Sequence, residues 1–270
     1  MIKHKSNSIT AKSGKVIIAG AGPGDLDLIT IRLSKALQLA DVIITDRLVN
    51  PAIIENFANE NAQIILTGKK GHSDASVTMK EINVLVTKYA LQGKTVLRLK
   101  GGDVAFFSNV LDELQNLVKH NIRFEIIPGI TAASGASAYA GIPLTARGYA
   151  QGVQFLTYYI EDQFMPNKWK QLATSTDTLV FYMSASHAIE IADKLMYYGA
   201  KENTSLAVIE QATTPHQQVH TTTLSQCKID FYEKSFSSPS LMIIGKVVQL
   251  HTSFNWIGSL EEGTVFKQLI

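Results

Sequence analysis

Short, wholly apolar runs recur through the first half of the chain, each closed by a glycine or a charged residue and followed by a helical period. Lys15 to Ala19, Val42 to Thr45, Gln63 to Leu66, Thr95 to Leu99 and Phe124 to Ile127 read as five strands. Between them the period predicts a helix from about Leu28 to Leu39 and another opening at Pro51, which suits a first helical position. Thr78-x-x-Glu81 forms a capping box for a helix through Gln92, and Asn109 to His120 gives a fourth helix with Asn121 as its stop. Strictly alternating strands and helices predict a parallel sheet.

The pattern loosens over Pro143 to Gln151, where a domain junction is expected, and then resumes. Strands are predicted at Val153 to Tyr158, Leu179 to Met183 and Leu206 to Ile209, with helices around Trp169 and from Ala188 to Tyr198. Thr-rich Val219 to Leu224 and apolar Leu241 to Val248 point to antiparallel strands in a mixed sheet. The expected organisation is a flexible leader (1–14), an N-terminal α/β domain (15–145), a C-terminal α/β domain (146–250) and a tail (251–270) without a clear period.

Composition narrows the class. Of 270 residues, 46% are hydrophobic and 18% charged, which fits a globular α/β protein and not a disordered one. A net charge of +2 gives no general affinity for nucleic acid. No segment has the run of about 18 apolar residues that spanning a membrane needs. The single cysteine, Cys227, rules out an internal disulfide framework or a cysteine metal cluster, and the expected compartment is the cytoplasm.

The candidate chemistry centres on Arg98 to Phe107, R-L-K-G-G-D-V-A-F-F. Gly101-Gly102 lets a ligand approach the main chain, and Asp103 stands where a strand of an open sheet delivers its groups to a crevice. An ordinary strand-to-helix turn is the plainer alternative. Gly20-Ala21-Gly22-Pro23-Gly24-Asp25 invites a dinucleotide reading with Asp46 as the ribose acid. Asp25 stands where the third glycine belongs, its charge opposes a pyrophosphate, and Pro23 removes a backbone donor, so a nicotinamide cofactor is disfavoured. The small residues of Pro128 to Ala136 predict a helix packed close to a backbone or a ligand. Basic groups beside glycines or strand ends, Arg98 with Lys100, Lys69 with Lys70, and Arg147, could meet an acidic small molecule.

Taken together, G-A-G-P-G-D (20–25), D-R-L-V (46–49), G-K-K (68–70), R-L-K-G-G-D (98–103), P-G-I-T-A-A (128–133), A-G-I-P-L-T (140–145), F-Y-M (181–183) and A-T-T-P (212–215) resemble the tetrapyrrole methylase family, in its order and over almost the whole chain. The resemblance implies two α/β domains with the active-site cleft between them, a homodimer, and S-adenosyl-L-methionine as methyl donor, with S-adenosyl-L-homocysteine as product. It further implies C-methylation of uroporphyrinogen III to precorrin-2, for sirohaem or cobalamin. Other expectations within or beside the family are methylation of another precorrin and a non-catalytic porphyrinogen-binding paralogue.

Carried over by motif, donor contacts fall on Pro23, Gly101, Gly102, Asp103, Phe106, Thr131, Ala132, Met183 and Ala212, and proton-handling roles on Asp46 and Lys69. A methyl on a sulfonium is already activated, so positioning does most of the work and no metal is needed. Met183 and Phe106 would supply apolar contact, or serve simply as core. Asp46 at a strand end can accept the proton that the macrocycle sheds, or it can pair with Arg47 or cap a helix. Lys69 can donate a proton or, preferably, pair with a carboxylate of the octacarboxylate substrate, as can Arg47, Lys70 and Arg147. Asn109, Ala146 and Tyr159 replace residues usual in the family and lie in the motifs expected to grip the tetrapyrrole.

Overall fold

The computed structural model describes residues 14–67, 78–158, 165–257 and 263–266. Lys69, Lys70 and Tyr159 lie outside the described residues, as does all of the expected leader except Gly14. The chain forms two compact units. The first comprises residues 1–21, 29–129 and 266–270, and the second 22–28 and 130–265.

In the first unit the elements alternate as β1 (Lys15–Gly20), α1 (Ile31–Leu39), β2 (Val42–Asp46), α2 (Pro51–Phe57), β3 (Gln63–Thr67), α3 (Met79–Leu91), β4 (Thr95–Lys100), α4 (Val110–Lys119) and β5 (Arg123–Ile127). The five strands make a parallel sheet in the order β3-β2-β4-β1-β5. The inner strands are apolar without alternation because helices cover both their faces. Val16, Ile18, Ile44 and Val96 pack with Ile82, Val86 and Leu117 of α3 and α4, and Leu33, Leu37 and Ile53 of α1 and α2 are fully buried. β1 and β4 are neighbours, yet the chain leaves them toward opposite sides of the sheet, so their carboxyl ends form a switch point. The capping box is present, with Thr78 Oγ1 accepting from Glu81 N–H and Glu81 accepting from Thr78 N–H. α1 begins at Ile31 and not near Leu28, because Leu26–Leu28 forms a 3-10 turn and the Thr30 side chain caps the helix proper.

The second unit contains α5 (Ala132–Tyr139), β6 (Val153–Thr157), α6 (Pro166–Thr174), β7 (Thr178–Tyr182), α7 (Ala188–Tyr197), β8 (Ser205–Glu210), β9 (Gln218–Thr223), α8 (Cys227–Asp230), β10 (Ser240–Ile244) and α9 (His251–Phe254). Its sheet, β6-β7-β10-β8-β9, is mixed as expected: β10 runs antiparallel to β7 and β8, and β9 to β8. β10 is shorter than its apolar run suggests. Gly245, at a φ of 145°, turns the chain into a 3-10 segment, Lys246–Leu250.

The division at Gly129 and Ile130 falls well before the junction expected after Thr145. Its cause is the small-residue face of α5. Ala133, Ala136 and Ala140 are buried against Val180, Ile209, Leu241 and Ile243 of the second sheet, which draws the helix into that unit. The loosened stretch after Pro143 is therefore a connection inside the second unit. The tail folds back, with Trp256 Nε1 donating to the Ala138 carbonyl and its ring packing edgewise on Tyr139. Among the described residues no helix is long and apolar enough to cross a membrane.

Candidate active site

In the first unit the site residues gather at the carboxyl ends of the strands. A Cβ on Gly20 would stand 2.4 Å from the Gly102 carbonyl oxygen, and one on Gly129 would stand 2.2 Å from the same atom. The ends of β1, β4 and β5 therefore meet backbone to backbone, and only glycine permits it. Gly102 has a φ of 67°, and a Cβ on Gly101 would strike Leu48, which brings the glycine turn against the loop after Asp46. Asp103 is buried, and its carboxylate is spent on the main chain: Oδ1 accepts from Ala105 N–H and Oδ2 from Gly129 N–H at 3.0 Å. It fixes the turn, and its own donor contact would come through backbone. Phe106 is half-buried three residues on.

Asp46 closes β2. Its Oδ1 accepts from Leu48 N–H at 3.0 Å and its Oδ2 lies 3.9 Å from Arg98 Nη2, so it both caps the turn and faces a cation, but that cation is not Arg47. Burial pushes the Asp46 carboxyl above the usual carboxylate range, while Arg98 pulls it down. Arg47 is half-buried and makes no ion pair among the described residues.

Arg98 and Lys100 do not face an open ligand space. Both side chains are almost fully buried and share Glu113 of α4, Arg98 Nε at 2.8 Å from Oε1 and Lys100 Nζ at 2.6 Å from Oε2. Sequence reasoning missed Glu113. The signal was available: two cations two residues apart on a buried strand point to one face and require a buried acid.

In the second unit the site residues line the edge formed by the carboxyl ends of β7 and β8. Pro23 packs on α5, where a Cβ at Gly135 would lie 2.6 Å from the proline Cγ and 2.9 Å from Thr213 Cγ2, next to Ala212. Asp25 holds that segment: its N–H donates to Thr213 Oγ1, and its Oδ2 accepts from Tyr139 OH at 2.6 Å. Thr131 is the N-cap residue of α5 but lacks a side-chain cap bond. Tyr182 supplies it, its OH accepting from Ala133 N–H and bonding Thr131 Oγ1 at 2.7 Å. Ala132 is half-buried in the same turn, and Met183, next to Tyr182, is 49% exposed.

Met183, Gln211 and Thr213 all have left-handed φ values, 55°, 47° and 69°, a conformation that costs non-glycine residues about 1–3 kcal/mol each. Surrounding bonds enforce it: Gln211 N–H donates to the Pro239 carbonyl, and Thr213 N–H to Gln217 Oε1. Pro23, Thr131, Ala132, Met183 and Ala212 are thus brought together. Arg147 is not part of this group. It is exposed, in a turn tied by Lys246 Nζ to the Gly148 carbonyl, and Lys246 follows the opposite end of the sheet.

The first unit thus carries a parallel sheet with a glycine switch point, and the second a mixed sheet with a strained edge built around small residues. The chain belongs to the tetrapyrrole (corrin/porphyrin) methylase family, which matches residues 15–228, and the methyl donor of this family is S-adenosyl-L-methionine. It is 42% identical over 251 residues to a sirohaem synthase of Pseudomonas paraeruginosa, covering 93% of this chain and 54% of that protein. The chain spans about half the length of the curated relatives it matches. Among solved structures it resembles a cobalt precorrin-4 methyltransferase of cobalamin biosynthesis, with a TM-score of 0.77, 25% identity, and 87% of this chain and 95% of the other covered. It also resembles uroporphyrin-III C-methyltransferase from Thermus thermophilus complexed with S-adenosylhomocysteine, with a TM-score of 0.72, 30% identity, and 88% and 94% covered.

Proposed function

We propose that this chain is a uroporphyrinogen-III C-methyltransferase that forms precorrin-2, acting as a homodimer in the cytoplasm. The observation that carries the proposal is Asp46: a carboxylate at the end of β2, packed by its loop against the glycine turn and faced by a fixed guanidinium. Bound S-adenosyl-L-methionine would supply a methyl already activated on sulfur. The residues present suit that group, because the Gly101-Gly102 turn, with Gly102 at a φ of 67°, carries main chain past the end of β4 with no side chain over it. Gly101, Gly102, the Asp103 backbone and Phe106 are the proposed donor contacts of the first unit, and Pro23, Thr131, Ala132, Met183 and Ala212 those of the second. Asp46 would accept the proton lost by the methylated ring, for which a carboxyl raised by burial is better matched than an ordinary one. Arg47, which makes no ion pair among the described residues, would pair with a substrate carboxylate, whereas Arg147, at the opposite end of the second sheet from Met183 and Ala212, is not assigned that role. Lys69 and Lys70 would pair with substrate carboxylates, proton donation being the alternative role for Lys69.

The likeness to a precorrin-4 enzyme supports a second reading, methylation of a later precorrin. Anaerobic incubation with S-adenosyl-L-methionine and freshly reduced uroporphyrinogen III separates the two. The expected result is a dimethylated product by mass, with its chromophore, and two equivalents of S-adenosyl-L-homocysteine. Product only from a later precorrin supports the second reading, and donor binding by calorimetry with no product from any tetrapyrrole overturns both.

A further inference from the structure

Four charged side chains of the first unit form one connected group, in which the two cations are balanced only when Asp46 as well as Glu113 is ionised. Arg98 and Lys100 each use one oxygen of Glu113, so one carboxylate serves two cations and the triad has a surplus positive charge. The guanidinium cannot swing away. Its Nε is held by Glu113, and its Nη1 donates to the carbonyls of Ile44 and Leu99 at 3.3 and 3.1 Å. Only Nη2 remains, and it points to Asp46 Oδ2 at 3.9 Å. Among the described residues, the other groups that act on Asp46 are the Leu48 N–H and, through space, Lys100 and Glu113. β3, which pairs with β2 on its other side, presents Thr67 opposite Asp46, and the Thr67 hydroxyl donates to the Thr45 carbonyl.

We propose that the buried Arg98–Glu113–Lys100 triad is a positioning device for Asp46. Its surplus charge keeps the Asp46 carboxylate ionised, and Glu113 aims the one free guanidinium nitrogen at it. The inference rests on the proposed role of Asp46 as base, but its electrostatic content is measurable without turnover. Burial opposes ionisation of a carboxyl, and a fixed neighbouring cation offsets that opposition. Lys100 is itself pushed down from its usual range by burial, and Glu113 works against that push.

The test follows the titration of Asp46 by carbon NMR of protein labelled at the aspartate side-chain carboxyl, with D46N providing the assignment. K100M removes one positive charge and leaves the Arg98–Glu113 bond. It is expected to raise the midpoint by roughly one pH unit, the lower end of the effect of a nearby charge. The double variant K100M/E113Q removes one cation and one anion, restores the parental net charge, and is expected to bring the midpoint back toward that of the parent. In an active enzyme the acidic limb of the kcat profile moves with the same signs. A purely structural triad gives cumulative loss of stability with no return of the midpoint. Folded variants, verified by cooperative thermal unfolding, whose Asp46 titration stays where the parent's is overturn the proposal. Should K100M fail to fold, K100Q replaces it with the same expected sign. Absence of methyl transfer would count against the proposed function alone.

Discussion

At the scale of single residues, function and stability pull against each other at Asp46. Its folded-state pKa is raised by burial, so the folded protein holds this proton more tightly than the unfolded chain does. Its contribution to stability is therefore greatest at low pH and declines as pH rises from the ordinary carboxylate value through the folded one. Asp46→Asn keeps an oxygen for Leu48 N–H and removes the buried charge. The variant is expected to melt above the parent at pH 7 and to lose about 100-fold or more in methyl transfer, with donor affinity unchanged. Calorimetry and single-turnover assays read the two effects separately, and a lower melting point would show that the Arg98 contact outweighs desolvation. The sequence identified Asp46 as a strand-end carboxylate. It did not identify Arg98 as its partner, because pairing across neighbouring strands β2 and β4 depends on a strand order that no local pattern carries.

At the scale of elements, apolar runs located the strands among the described residues, since buried runs bounded by glycine and charge leave few alternatives; the exception is β9, which threonine-rich Val219 to Leu224 marked. The errors arose where local bonding replaced the period. The 3-10 turn at Leu26–Leu28 delayed α1, and Gly245 ended β10 inside an apolar stretch. The left-handed Gln211 and Thr213 were not legible either, because neither residue type favours that conformation and distant partners impose it. α5 was read as a small-residue helix with its purpose open between backbone and ligand. Packing on side chains accounts for Gly135, which sits against the Pro23 ring and the Thr213 methyl. Gly135→Val should overpack that contact, costing about 1–3 kcal/mol in urea unfolding and weakening donor binding by calorimetry. An unchanged midpoint would mean that residues 22–25 yield easily.

At the scale of the whole molecule, the bond between Tyr139 and Asp25 spans 114 positions and joins an early segment to α5. Burial, together with the Asp25 carboxylate, pushes the Tyr139 phenol up to about 12. A phenol raised in the folded state stabilises the protein fully below its unfolded value of about 10, and that stabilisation is lost as pH rises through 12. Asp25→Asn should lower the phenol toward its ordinary value, read by ultraviolet difference titration, and flatten the fall in melting temperature between those two pH values. A phenol still near 12 in that variant would assign the shift to burial alone.

Residues 22–28 also impose an order on synthesis. Asp25 leaves the ribosome early, but Thr213, which receives its N–H, lies 188 positions further on. At ordinary translation speeds that interval is on the order of ten to forty seconds. For that time the nascent chain carries a connector between β1 and α1 whose set of partners is incomplete, Tyr139 arriving before Thr213, so the final adjustment of residues 22–28 waits for a segment made long after them.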